Sequence, residues 1–218
     1  MSKFNQPAAS ASVVHSSLMS FLPGVSPQAR DDLLLANAFA QQVAWGDLDE
    51  GLEPDWFRNY WRNLAALGFD GKLAPASRKF GPDRQTLAER AVAQVEQLGS
   101  PAHGAVAEQS LQALRNDRQS LSAFESRALA KDKARFQLLP CAQQPNGFID
   151  LVILHMEMSL RHSTSGFLYL ESKQEVQVVD MRVEVIHFNL QGFREDYRKR
   201  AEASVARSSQ RAIRDLLL

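Results

Sequence analysis

Two long alternating runs in the second half of the chain constrain its fold more than any other feature. Between residues 148 and 160, Phe148, Val152, Leu154, Met156, Met158 and Leu160 share one parity, while His155, Glu157, Ser159 and Arg161 occupy the other. Successive side chains of a strand point to opposite faces, so this pattern predicts a half-buried antiparallel strand. A second run covers residues 176–190, with Val179, Met181, Val183 and Val185 on one face. The apolar parity then passes to Ile186, Phe188 and Leu190, which predicts a bulge or a strand end. Residues 163–166 read as a loop and 167–170 as a short strand. Phe136 to Leu138 lead into Pro140 and Cys141, and Pro145-Asn146-Gly147 is a turn signal. Strands are therefore expected over about 134–190.

Upstream, the apolar period becomes helical. Ser26 before Pro27 is an N-cap followed by proline at the first helical position, and a helix is expected over 27–44. Asp31 and Asp32 sit in its early turns, at the positive end of the helix dipole. Pro54-Asp55 opens a second helix, in which Phe57, Tyr60, Trp61, Leu64 and Leu67 form one stripe and Gly68 marks the end. Further helices are expected over 82–98 and 104–116, whereas 117–133 fits no single pattern. A last helix is expected over 192–217, with a basic bias from Arg194, Arg198, Lys199, Arg200, Arg207, Arg211 and Arg214. Residues 1–22, rich in Ser, Ala, Asn and Gln, read as a flexible arm ahead of a single domain over 23–218. Helices first and strands second argue an α+β fold: an N-terminal helical layer on a C-terminal antiparallel meander, closed by a C-terminal helix.

Composition narrows the function classes. The 218 residues carry 25 Lys plus Arg against 25 Asp plus Glu, so the basic excess of a general nucleic-acid binder is missing. No apolar run approaches the 18 or so residues needed to cross a bilayer, and residues 1–20 lack the apolar core of a secretory signal. The expected location is cytoplasmic in the producing cell, with membrane association or release by another route. The apolar stripes fit one core, so a monomer is expected.

The sequence holds no Gly-rich phosphate loop, no G-x-S-x-G elbow and no H-E-x-x-H motif. The five histidines, at 15, 103, 155, 162 and 187, are not spaced as metal ligands, so neither a metal nor a dedicated catalytic set is expected. His155 and His187 fall where neighbouring strands bring side chains together, and on such strands they read as histidines on a wet sheet face. Cys141 is the single cysteine, so no internal disulfide forms. Three roles are open to it: an inert buried thiol, a nucleophile needing a histidine base such as His155 or His187, or a lipid attachment point.

Two blocks of the chain resemble one bacterial family. The first runs from Ala29-Arg30-Asp31-Asp32-Leu33-Leu34 through Asp55-Trp56-Phe57, Tyr60 and Leu64 to Gly68. The second comprises Phe124-Glu125-Ser126, Phe136-Gln137-Leu138-Leu139-Pro140-Cys141 and Pro145-Asn146-Gly147. This pattern is similar to that of the Evf-type virulence factors. The resemblance implies a mixed α/β fold, a palmitate-like acyl thioester on a single cysteine, and a part in bacterial persistence in, or toxicity toward, an insect host. Carried onto this chain, it makes Cys141 the attachment residue and Trp56, Phe57 and Trp61 the walls of an acyl pocket. A membrane surface and a host factor are the partners it implies. The alternatives are a cysteine-dependent acyltransferase or thioesterase acting through Cys141, and a soluble binding protein in which Cys141 is inert.

Overall fold

The structure is a computed structural model that describes residues 7–72, 85–130, 133–160, 165–170, 176–206 and 213–218. Each long helix begins at a side chain that satisfies its free N–H groups. Helix α1 (Pro27–Asp49) is capped by Ser26, whose hydroxyl accepts from the Ala29 amide. Helix α2 (Trp56–Ala66) is capped by Asp55, and Gly68 leaves it at φ +91°, a backbone state that glycine adopts without strain. Helix α3 (Leu87–Leu98) begins at a capping box between Thr86 and Glu89. Helix α4 (Pro101–Asn116) starts at the Ser100 cap, and Asp117 caps α5 (Arg118–Ala128), which settles the ambiguous stretch as helix through Ala128. The start expected at Pro82 lies outside the described residues; α3 itself opens at its capping box.

The strands are β1 (Ser10–Val14), β2 (Ser17–Phe21), β3 (Phe69–Asp70), β4 (Leu129–Ala130), β5 (Lys133–Gln143), β6 (Ile149–Leu160), β7 (Val176–Phe188) and β8 (Ile213–Leu216). They form one sheet in the order β3-β7-β6-β5-β2-β1-β8, with β4 paired to β5. All neighbours are antiparallel except β2 and β5. The expected α+β class is what the chain adopts, with helices on both faces of the sheet. Helices α1 and α2, a short α6 (Leu190–Gly192) and α7 (Arg198–Val205) cover one face; α3, α4 and α5 cover the other.

Several expectations need correction. Helix α1, expected over 27–44, runs on through Gly46 to Asp49. Residues 10–21 are no arm: they form a hairpin in the middle of the sheet, and Ser12, Ser16, Ser17 and Ser20 are fully buried. The serine content concealed this, because Ser16 and Ser17 satisfy their hydroxyls through buried side-chain bonds to Gln41 and Gln137, and Ser12 through a part-buried bond to Asp215. The last helix ends at Val205, and residues 213–216 return as edge strand β8 against β1. Within it, Phe193–Tyr197 form a π-helical turn. Arg207 and Arg211 lie outside the described residues. The short strand expected at 167–170 is a 3₁₀ turn, Phe167–Tyr169.

Strand β6 is buried on both faces, which is why its polar parity holds Leu151 and Ile153 as well as His155. In β7 the register shift falls opposite Glu157 and Met158, and Val179 bulges outward, 55% exposed. The parity change at Ile186 is no bulge. Met181, Val183 and Val185 face the α3–α5 side, and Ile186 and Phe188 face the α1–α2 side.

Candidate functional site

Register across the α1–α2 face sorts its strand residues into rows. Ser17 of β2 lies opposite Gln137 of β5, Gln137 opposite His155 of β6, and His155 opposite Arg182 of β7. The next row holds Arg135, Glu157 and Asp180. Toward the other end of the strands, Phe21, Cys141, Leu151 and Ile186 line up as an apolar row. One face thus has a polar half and an apolar half.

Hydrogen bonds run through the polar half from Tyr60 to His155. The Tyr60 hydroxyl donates to Asn37, and the Gln41 amide donates to Asn37, Ser17 and the Val14 carbonyl. Ser17 donates to Gln137 Oε1 at 2.8 Å, and Gln137 Nε2 lies 2.9 Å from His155 Nδ1. With its carbonyl engaged by Ser17, Gln137 presents its N–H to the ring, so Nδ1 accepts and the neutral imidazole carries its proton on Nε2. That Nε2 is 3.4 Å from Glu157 Oε1, without completing a hydrogen bond. Arg135 Nε donates to the same carboxylate oxygen at 2.6 Å, and Arg182 Nε donates to Asp180 at 2.8 Å.

Aromatic rings roof this half. His155 stacks on Phe57 at 4.5 Å and on Trp56 at 5.7 Å between centroids. Arg135 lies over the rings of Trp45 and Trp56, and Arg182 over Phe57. Burial lowers the pKa of His155, against the pull of Glu157, so the ring is held neutral. Burial alone raises the Glu157 carboxyl, but its contacts with His155 and Arg135 outweigh burial and hold it below the usual carboxylate range. Trp45 Nε1, Trp56 Nε1 and Asp180 Oδ1 are buried without a hydrogen-bond partner among the described residues.

Cys141 sits in the apolar half. It is fully buried, and its thiol donates to the Leu139 carbonyl at 3.2 Å. Burial pushes the thiol pKa strongly up. Tyr60, a member of the aromatic stripe expected on α2, has its hydroxyl pKa raised by burial and then by the nearby Cys141. Neither candidate base reaches the thiol. Cys141 is opposite Leu151, four residues from His155 along β6, which is about 13 Å. His187 follows Ile186 of the Cys141 row, so its side chain leaves on the other face, where it meets Asp150 at 2.6 Å. The two histidines are therefore not brought together, and His155 is on no wet face.

The expected pocket walls divide between the two halves. Trp56 and Phe57 are buried, with Cys141, in one core cluster, but their rings lie over His155. Trp61 is partly buried near Ile186; a Cβ on Gly71 would meet the Trp61 ring at 3.2 Å and Ile186 at 2.6 Å. The basic residues Arg194 and Arg198 of the C-terminal segment close on the fully buried Asp32 of α1, which tethers that segment to the helical layer. Sequence reasoning placed Asp32 at the helix dipole; its burial and its two arginine partners arise only in the fold. No helix among the described residues is long and apolar enough to cross a membrane. Among the same residues, no group of three or more His, Cys, Asp or Glu is placed to hold a metal ion.

No protein-family model matches the chain, and no curated protein matches it. Among solved structures it is similar to the Evf virulence factor, at 11% identity and a TM-score of 0.46, over 86% of this chain and 76% of that one. It is also similar to a delta-endotoxin, at 15% identity and a TM-score of 0.47, over 82% of this chain and 85% of that one.

Proposed function

We propose that this chain acts by binding a host component and not by thiol chemistry. The host-interaction role is the one the sequence resemblance implies. The observation that supports a binding reading over a catalytic one is the state of Cys141: fully buried, hydrogen-bonded to Leu139, its pKa raised, with neither His155 nor His187 in reach. A catalytic cysteine needs a thiolate, and a buried thiol in apolar surroundings resists ionisation. Alkylation with iodoacetamide tests this. The native protein should react far more slowly than the denatured one across pH 6–9; fast native labelling with a low apparent pKa would restore the enzymatic reading.

A second reading keeps the acyl thioester on Cys141. Its support is that Cys141 shares one core cluster with Trp56 and Phe57, and that Trp61 packs against that cluster. A chain there would lie inside the protein, where each buried methylene is worth about 0.8 kcal/mol. Withdrawn from the core, one acyl chain binds a membrane only marginally, so a second contact with anionic lipid would be needed. Intact mass of native material before and after neutral hydroxylamine separates the readings: loss of a fatty-acyl mass supports the thioester, and a bare mass supports the inert thiol.

A further inference from the structure

A half-open cavity of about 470 Å³ lies at the Cys141 end of the sheet, where the β5–β6 turn meets α6 and the π-helical turn. Its volume falls in the usual range of small-molecule sites. Six of the lining side chains share one arrangement: each is held through one polar atom and keeps another without a bond among the described residues. Gln143 Oε1 accepts from the Ser26 amide, Asn146 Oδ1 from the Phe148 amide, and Asn189 Oδ1 from the Gly192 amide. These bonds orient the three amide groups and leave their NH₂ groups as donors. Gln191 Nε2 donates to Glu195 Oε1, which leaves Gln191 Oε1 and Glu195 Oε2 as acceptors. Arg194 is tied to Asp32 through Nε, so its terminal nitrogens remain as donors. Phe148, 38% exposed, adds an accessible aromatic ring.

We propose that this cavity binds a neutral polyhydroxylated ligand of the pyranose sugar class. The lining offers both donors and acceptors, as a ring of hydroxyls that both donate and accept requires. One arginine and one glutamate balance, so the lining selects neither an anion nor a cation. The ring of Phe148 offers an apolar wall to the C–H face of a pyranose. Because the amides are fixed in advance, binding costs little side-chain ordering. The site stands apart from Cys141 and holds whether or not that thiol is acylated.

The test is a titration of the full ¹⁵N-labelled chain, followed by NMR, with galactose, mannose and N-acetylglucosamine, each as free sugar and as methyl glycoside. Saturable shifts confined to the side-chain amides of Gln143, Asn146, Asn189 and Gln191 are expected with at least one sugar. Retention of binding with the glycoside would assign a glycan terminus, and its loss a free sugar. Phe148→Ala and Gln191→Ala, with spectra otherwise unchanged, should each weaken binding about tenfold, and Phe148→Tyr should preserve it. No saturable shift with any of the six probes would overturn the proposal. So would equal shifts with inorganic sulfate, or sugar shifts that both alanine variants leave intact.

Discussion

The two faces of the sheet are made from alternate residues of the same strands, yet they differ in kind. On the α3–α5 face, Phe136 meets Phe124 and Phe167, with Leu138, Leu154, Met156 and Met158 alongside, and the strands contribute almost only apolar groups. On the α1–α2 face the same strands contribute Gln137, His155, Arg135, Glu157, Asp180 and Arg182 beside Cys141 and Leu151. The first face gains stability from area removed from water, which is large and indifferent to direction. The second exchanges water contacts for directed bonds, which yield about 1 kcal/mol each and cost more when left unmade. The dry face should therefore dominate stability, and the polar face should dominate its dependence on conditions.

The largest effect is expected where the dry face is opened. Phe136→Ala should lower the unfolding free energy by about 3–5 kcal/mol in urea denaturation, because the ring is fully buried between two others. A loss below 1 kcal/mol would mean that this face does not carry the fold.

Acid should act through two histidines, the buried His155 on the polar side and the half-buried His15 in the β1–β2 turn near α5. Burial lowers the pKa of His155, and burial followed by Arg127 lowers that of His15 to about 4. The unfolded chain then binds more protons than the folded one below about pH 6.5, so stability is full above that pH and falls on acidification. The slope should reach about 1.4 kcal/mol per pH unit for each histidine. The low carboxyl pKa of Glu157 adds a further loss once the pH drops below about 4.5. His15→Asn suits the left-handed backbone at φ +52° and should remove one part of the slope and leave the His155 part. Thermal melts between pH 7 and 5 read this; a flat profile would remove His155 from the account.

A smaller loss, about 2 kcal/mol, is expected for Asp32→Asn, which weakens the tether of Arg194 and Arg198 to α1. The partly exposed arginines regain water, so the loss should stay below that of Phe136→Ala. Hydrogen exchange should localise it to Leu190–Val205. The smallest effect is expected at the surface pair Arg62–Glu53, 3.9 Å apart, where Arg62→Ala should change stability by less than about 0.5 kcal/mol.

Legibility in the sequence followed the same division. The caps at Ser26 and Asp55 and the stripe of Phe57, Tyr60 and Leu64 are local signals, and the structure places helices there. The alternation of Val152, Leu154, Met156 and Met158 marked the dry face of β6 directly. The hairpin at 10–21 escaped because buried serines resemble exposed ones until Gln41 and Gln137 are seen to satisfy them. The polar rows escaped for a related reason: Arg135, Gln137, His155 and Arg182 read as solvated positions when the rings of Trp56 and Phe57 are not known to cover them. The lining of the Phe148 cavity escaped too, since it joins residues from 26, 143–148 and 189–195.

By itself, the sequence determined what short-range physics decides: the capped starts of α1 and α2, the dry-face parity of β6, the α+β class, and a single thiol incapable of an internal disulfide. Only the tertiary structure decided what depends on groups distant in the chain. It set the hairpin between β5 and β8, brought Asp32 to two arginines 162 and 166 residues away, and left Cys141 out of reach of His155 and His187. A side chain's burial, pKa and partners come from what packs over it, and in this fold those neighbours come from remote parts of the chain.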